Sequence, residues 1–139
     1  MRPYADFARR VLIVNGFTDG RVMYATFLRY HGMTVCDVAR PESALYVLDV
    51  FQPEIVVTDL VFPPVGRFDG LAFISAVRQR RHACDPTIVV VSGFTQPTDA
   101  RRARDAGADA FLIKPCLPED LLFEVRRAFG VRHSITTTR

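Results

Sequence analysis

Three residues of this 139-residue chain are placed for chemistry on a charged, transferable group: Asp59, Ser92 and Lys114, each directly after a short apolar run. The runs are residues 54–58, 87–91 and 110–113. An aspartate carboxylate can attack phosphorus to form an acyl phosphate, while an ammonium and a hydroxyl bind the phosphoryl oxygens as charge shifts onto them. Lys114 is the most telling of the three, because among 18 basic residues it is the sole lysine. A compact ammonium enters a narrow polar site in a way that a planar guanidinium does not. Plainer readings stay open. Asp59 and Lys114 can be an ion pair that orders one end of a sheet, Ser92 a turn residue before Gly93, and the single lysine an accident of composition.

For these three to meet, the elements carrying them must run side by side. Five apolar segments, 11–14, 34–38, 54–58, 87–91 and 110–113, are rich in Val and Ile without polar alternation, as suits strands buried on both faces. Between them the spacing is helical: Tyr24, Phe27 and Leu28; Ala44, Leu48 and Phe51; Leu71, Ile74 and Val77; and finally Leu121, Val125 and Phe129. The fourth linker, 98–106, has a weaker apolar pattern but is rich in alanine. Strand alternating with helix predicts an α/β fold, a five-stranded parallel sheet with helices on both faces and right-handed crossovers. Ligands of such sheets bind outside the carboxyl ends of the strands, which here are Asn15-Gly16, Asp59, Ser92-Gly93 and Lys114-Pro115.

Punctuation fits that frame. Gly32 and Gly107 are placed to end helices, Pro41 and Pro118 to begin them, and Asp19, Asp69 and Asp99 to cap helix starts. An excess stretch, 62–68, directly follows Asp59 and is read as a loop. The expected organisation is an extension at 1–9, one domain at 10–130 and a tail at 131–139 that is too short for an output domain.

Composition sets limits. No apolar run approaches the length of a membrane span, no signal-peptide stretch opens the chain, and Cys36, Cys84 and Cys116 form no even disulfide framework, so a cytoplasmic protein is expected. A net charge of +3 from dispersed residues does not argue for direct nucleic-acid binding. His31, His82 and His133 have no metal-ligand spacing with the cysteines. Arg101, Arg102, Arg104, Arg126 and Arg127 read as a solvated surface, and Cys116 as a small buried hydrophobe.

The ordered set of residues 11–14, Asp59 to Pro63, Asp69-Gly70, Ser92-Gly93, 106–111 and Lys114-Pro115 resembles the receiver domains of bacterial response regulators over about residues 10–129. The resemblance implies a flavodoxin-like (βα)5 fold and a stand-alone receiver of two-component or phosphorelay signalling. It implies phosphorylation on Asp59 by a histidine kinase or phosphotransfer protein, with no enzymatic activity beyond self-phosphorylation and dephosphorylation there. It also implies a switch through Ser92 and Phe111, and a downstream partner on the face of the last two helices; a second copy of the chain is a further candidate partner.

One departure bears on the mechanism. Receivers place two acids directly after the first strand, which with the phosphoacceptor and a backbone carbonyl, here that of Val61, hold Mg²⁺; this chain has Asn15 and Gly16. With Asp59 the only acid left and Lys114 beside it, Mg²⁺ is expected to bind weakly or not at all. Arg67 in the extra loop is a candidate for supplying the missing positive charge. Two other readings stand beside the phosphorylated receiver: an interaction module of the same shape that works without phosphorylation, and, more remotely, a small anion- or flavin-binding protein using the loop Asn15 to Gly20.

Overall fold

In the computed structural model, which describes residues 9–63, 69–80, 85–93 and 96–137, the apolar segments become five strands. They are β1 (Arg10–Val14), β2 (Thr34–Val38), β3 (Ile55–Thr58), β4 (Thr87–Ser92) and β5 (Ala110–Ile113). The intervening helices are α1 (Thr18–Tyr30), α2 (Pro41–Phe51), α3 (Asp69–Gln79), α4 (Pro97–Ala106) and α5 (Pro118–Thr137). All strand pairs are parallel, in the order β2-β1-β3-β4-β5.

The two-residue period of a strand explains how one continuous apolar run serves two layers. Val11, Ile13, Val57, Val89 and Val91 face one side, where they pack with Leu28 of α1 and Leu121, Val125 and Phe129 of α5. Leu12, Val14, Val56, Ile88 and Val90 face the other, against Leu48 of α2, Phe73 and Ile74 of α3 and Ala103 of α4. Because every strand points the same way, Asn15, Asp59, Ser92 and Lys114 are delivered to a single rim.

Helix punctuation is partly as expected. Gly32 and Gly107 lie just past helix ends at φ +92° and +125°, and Pro41 begins α2. Two aspartates act differently from the expectation. Asp19 is not a cap: α1 is entered from Phe17, and Asp19 sits in the first turn with its charge near the helix N-terminus. Asp99 caps from inside α4, its carboxylate accepting the N–H of Gln96 at 3.2 Å, while Gln96 holds the cap position. This reciprocal cap helps explain how a segment with so weak an apolar pattern forms a full helix. The side chain of Asp69 lies outside the described residues, as do Arg67, His82, Cys84, the side chain of His133 and the core of the 62–68 loop.

The last helix also runs further than the sequence frame. α5 continues through Gly130 to Thr137, taking in most of the stretch assigned to a tail. One glycine in a helix costs only about 1 kcal/mol, and Arg132 beyond it donates to Asp85 O at 3.0 Å and Thr87 Oγ1 at 3.2 Å. Among the described residues no helix is long and apolar enough to cross a membrane.

Candidate functional site

Asp59 extends the β3 ladder by one residue, its N–H donating to Val14 O at 3.1 Å. That bond fixes the backbone, and the side chain then turns into a nearly closed site, 4% exposed. Its Oδ1 accepts the N–H groups of Leu60 at 2.7 Å and Val61 at 3.3 Å. Its Oδ2 accepts Lys114 Nζ at 2.6 Å. Both carboxylate oxygens are therefore held by donors, and the charge is answered by a cation.

Lys114 is itself placed by the sheet. Its N–H donates to Ser92 O at 2.9 Å, continuing the β4–β5 register, so the lysine and the fully buried Ser92 are neighbours across two strand ends. The ammonium also lies 5.4 Å from the ring centroid of Phe17, on the favourable face of an aromatic quadrupole. The Lys114–Pro115 peptide is cis. Just beyond it, Cys116 O accepts the hydroxyl of Tyr24 at 2.7 Å, tying the β5–α5 turn to α1. Burial, then the Cys116 thiol beside it, pushes the Tyr24 phenol up to about 12. Burial likewise raises the Cys116 thiol, which agrees with an inert packing role rather than a reactive one.

At the end of β1, Asn15 is buried and spends its side chain locally, with Oδ1 accepting the N–H of Phe17 at 2.8 Å. That bond takes up one of the loop amides that an anion held by residues 15–20 would need. The Asn15 carbonyl accepts Arg21 Nη1 at 3.0 Å. Arg21 Nε in turn pairs with Asp37 Oδ2 at 3.2 Å, and Asp37 Oδ1 also receives Arg29 at 3.0 Å. On the other flank Gly70 lies against the strand end, where a Cβ would fall 2.4 Å from Asp59 O and from Leu60 Cα. Only glycine allows the start of α3 to approach this closely.

Among the described residues, the groups that bond the Asp59 carboxylate are two backbone N–H donors and the Lys114 ammonium. Mg²⁺ is recruited by carboxylates and keeps near-octahedral oxygen ligation, and among the described strand-end residues of the rim the one carboxylate, Asp59, is bonded to Lys114. Asn15 brings an amide engaged elsewhere, and Gly16 brings no side chain. Among the described residues no group of three or more His, Cys, Asp or Glu side chains is arranged to hold a metal ion.

The structure thus brings Asp59, Lys114 and Ser92 together. Phe111, half-buried, packs on the α2–α4 side of the sheet and lines a small hollow against Ala100, Ala103 and Arg104 of α4. Val61 is buried beside Asp59. Arg101, Arg102 and Arg104 of α4 and Arg126 and Arg127 of α5 are exposed, with Arg102 near Asp99 and Arg127 paired to Glu124. Sequence reasoning did not single out Phe17, Arg21 or the OH of Tyr24. The available signals were a phenol on the buried stripe of α1 and an arginine one helical turn past Asn15-Gly16.

A parallel α/β sheet that presents an aspartate, a buried serine and a lysine on adjacent strand ends defines a receiver. The family model for the response regulator receiver domain matches residues 11–126, and the chain belongs to that family. The chain is 33% identical over 133 residues to the transcriptional regulatory protein PdtaR of Mycobacterium tuberculosis, an alignment covering 95% of this chain and 62% of that protein. It is 24% identical over 119 residues to the phosphate regulon transcriptional regulatory protein PhoB of Escherichia coli, covering 86% of this chain and 51% of that one. It therefore spans less than two thirds of the length of these relatives. Among solved structures, the signal receiver domain of a response regulator from Bermanella marisrubri superposes with a TM-score of 0.79 at 29% identity, covering 88% of this chain and 98% of that one. The chemotaxis protein CheY4 of Vibrio cholerae superposes at 0.77 and 26% identity, covering 86% and 97%.

Proposed function

We propose that the chain accepts a phosphoryl group on Asp59 from a histidine kinase or phosphotransfer protein, and that it does so with weak or no help from Mg²⁺. The single observation carrying this reading is the 2.6 Å contact between Lys114 Nζ and Asp59 Oδ2, in a site where both groups sit at strand ends. A carboxylate oxygen forms the new bond to phosphorus, the bond from phosphorus to the donor nitrogen breaks, and that nitrogen keeps the electron pair and takes up a proton. Lys114, already at hydrogen-bond distance, answers the negative charge gathering on the phosphoryl oxygens. Ser92 and Phe111 are the switch pair in this reading, and Phe111 lines a small hollow beside α4. A downstream protein then binds the face of α4 and α5, and a second copy of the chain is an alternative occupant. Nothing in the reading requires direct contact with nucleic acid or membrane, and its phosphodonors place it in the cytoplasm.

A second reading is supported by Asn15 and Gly16, which leave Asp59 as the one acid among the described strand-end residues: an interaction module that works without phosphorylation. One experiment separates the two. The protein is incubated with a small phosphodonor, with and without Mg²⁺, and its mass is measured. Gain of one phosphoryl group by the native chain and none by Asp59→Asn supports the first reading. No gain under any condition supports the second.

A further inference from the structure

Lys114 leaves the backbone between two fixed points. On one side its own N–H donates to Ser92 O at 2.9 Å, continuing the β4–β5 register. On the other, two residues further on, Cys116 O accepts the hydroxyl of Tyr24 at 2.7 Å, a bond that spans 92 positions of the chain. The residue between is Pro115, whose ring fixes its own φ. The short span carrying the lysine therefore has little freedom of its own, and its placement beyond β5 is set by a side chain of α1. The ammonium sits at the end of a flexible four-carbon stem. A fixed origin for that stem favours the one geometry in which Nζ meets Asp59 Oδ2 at 2.6 Å.

α1 reaches the same lysine a second time. Phe17, about two helical turns before Tyr24, has its ring centroid 5.4 Å from the ammonium. Tyr24 itself is 5% exposed and packs with Cys116 in one apolar layer, a setting in which its polar tip needs a partner. Burial, then the Cys116 thiol and then the charge of Asp59 push the phenol up to about 12, so it remains a donor at neutral pH.

We propose that Tyr24 is a positioning residue for phosphoryl acceptance, holding the turn after β5 so that the Lys114 ammonium stays on Asp59. The inference rests on the reading above in which Lys114 answers the charge of the incoming phosphoryl group, and it deepens that reading.

The sole lysine makes the test direct, because protein grown on ¹³C-labelled lysine gives one ε-methylene signal, that of Lys114. A held side chain shows two distinct ε-proton shifts, and a freely rotating one shows a single averaged shift. The native chain is expected to show two and Tyr24→Phe, which removes only the hydroxyl, to show them merged. Both are checked for cooperative thermal unfolding. Mass measurement then follows phosphoryl gain from a small phosphodonor, and Tyr24→Phe is expected to slow it about three- to tenfold, as loss of a positioned catalytic group does. Leu48→Val, which weakens the opposite apolar layer, should leave both the lysine signal and the rate as they are in the native chain. Merged shifts in the native chain, unmerged shifts in Tyr24→Phe, an unchanged rate in Tyr24→Phe or equal slowing by Leu48→Val each overturn the proposal. A native chain that gains no phosphoryl group overturns the phosphorylation reading instead, and the lysine signal then still decides whether Tyr24 holds the ammonium.

Discussion

Lys114 Nζ lies 2.6 Å from Asp59 Oδ2, and the two residues are separated by 55 positions in the chain. The pair is unequal in setting: the carboxylate side chain is 4% exposed and the lysine side chain 28%. A nearly buried anion is thus answered by a partly exposed cation whose ammonium also lies 5.4 Å from the ring centroid of Phe17. Each backbone is also pinned, Asp59 to Val14 and Lys114 to Ser92. The contact is therefore a property of the sheet register and not of two mobile side chains that happen to touch.

That inequality predicts an asymmetric double-mutant cycle. Lys114→Met leaves the carboxylate with only two amide donors and should cost about 2–3 kcal/mol, below the range for a fully buried pair because the lysine is partly solvated. In the Asp59→Asn background the same substitution should cost less than half as much, giving a coupling of about 1–2 kcal/mol in urea unfolding. Additive losses would mean that the ion pair contributes nothing to stability.

Two glycines should respond in opposite directions to alanine. At Gly70 the added Cβ meets Asp59 O and Leu60 Cα at 2.4 Å, which are backbone atoms that cannot yield cheaply. Gly70→Ala should cost about 2–3 kcal/mol by overpacking and should also slow phosphoryl acceptance at Asp59. At Gly130, inside α5, nothing lies within 4 Å of the added atom. Gly130→Ala should stabilise by about 0.5–1 kcal/mol through helix propensity alone. Thermal melts of the two variants check both signs at once.

The fold and half of the site were legible in the sequence for the same reason. A parallel sheet buries its strands on both faces, so runs such as 87–91 announce themselves, and the residues ending them must share a rim. Asp59, Ser92 and Lys114 were found that way. Contacts set by tertiary approach were not legible. Nothing in the type of Arg21 says that it bonds the Asn15 carbonyl, and nothing in Pro63 says that its ring covers Gly16. The caps show the same limit, since an aspartate near a helix start can sit at the cap, in the first turn like Asp19, or at the third position like Asp99. The helix beyond Gly130 was missed because glycine is a weak stop signal once Arg132 has partners across the sheet.

Cys116 should be protected from alkylation in the folded protein. Its side chain is buried and its thiol is held above the ordinary range by burial, which reduces the thiolate available for attack. Iodoacetamide followed by peptide mapping should label Cys116 slowly in buffer and readily in urea. Rapid labelling in buffer would show that the turn after Lys114 opens far more often than its packing implies.

Tyr24 gives a prediction in pH. Its hydroxyl donates to Cys116 O, and its phenol is pushed up to about 12, first by burial. The unfolded phenol titrates near 10, so the native state favours the neutral form. The associated stability is fully present below about pH 10 and is lost as the pH rises from there through about 12. Tyr24→Phe should cost about 1 kcal/mol at neutral pH through the lost hydrogen bond. The gap in stability between the native chain and Tyr24→Phe should then narrow between about pH 10 and 12. In a spectrophotometric titration of the folded protein, the phenolate signal appearing near pH 12 should vanish in Tyr24→Phe. A stability gap unchanged across that window would mean that the phenol is not held neutral by the turn it anchors.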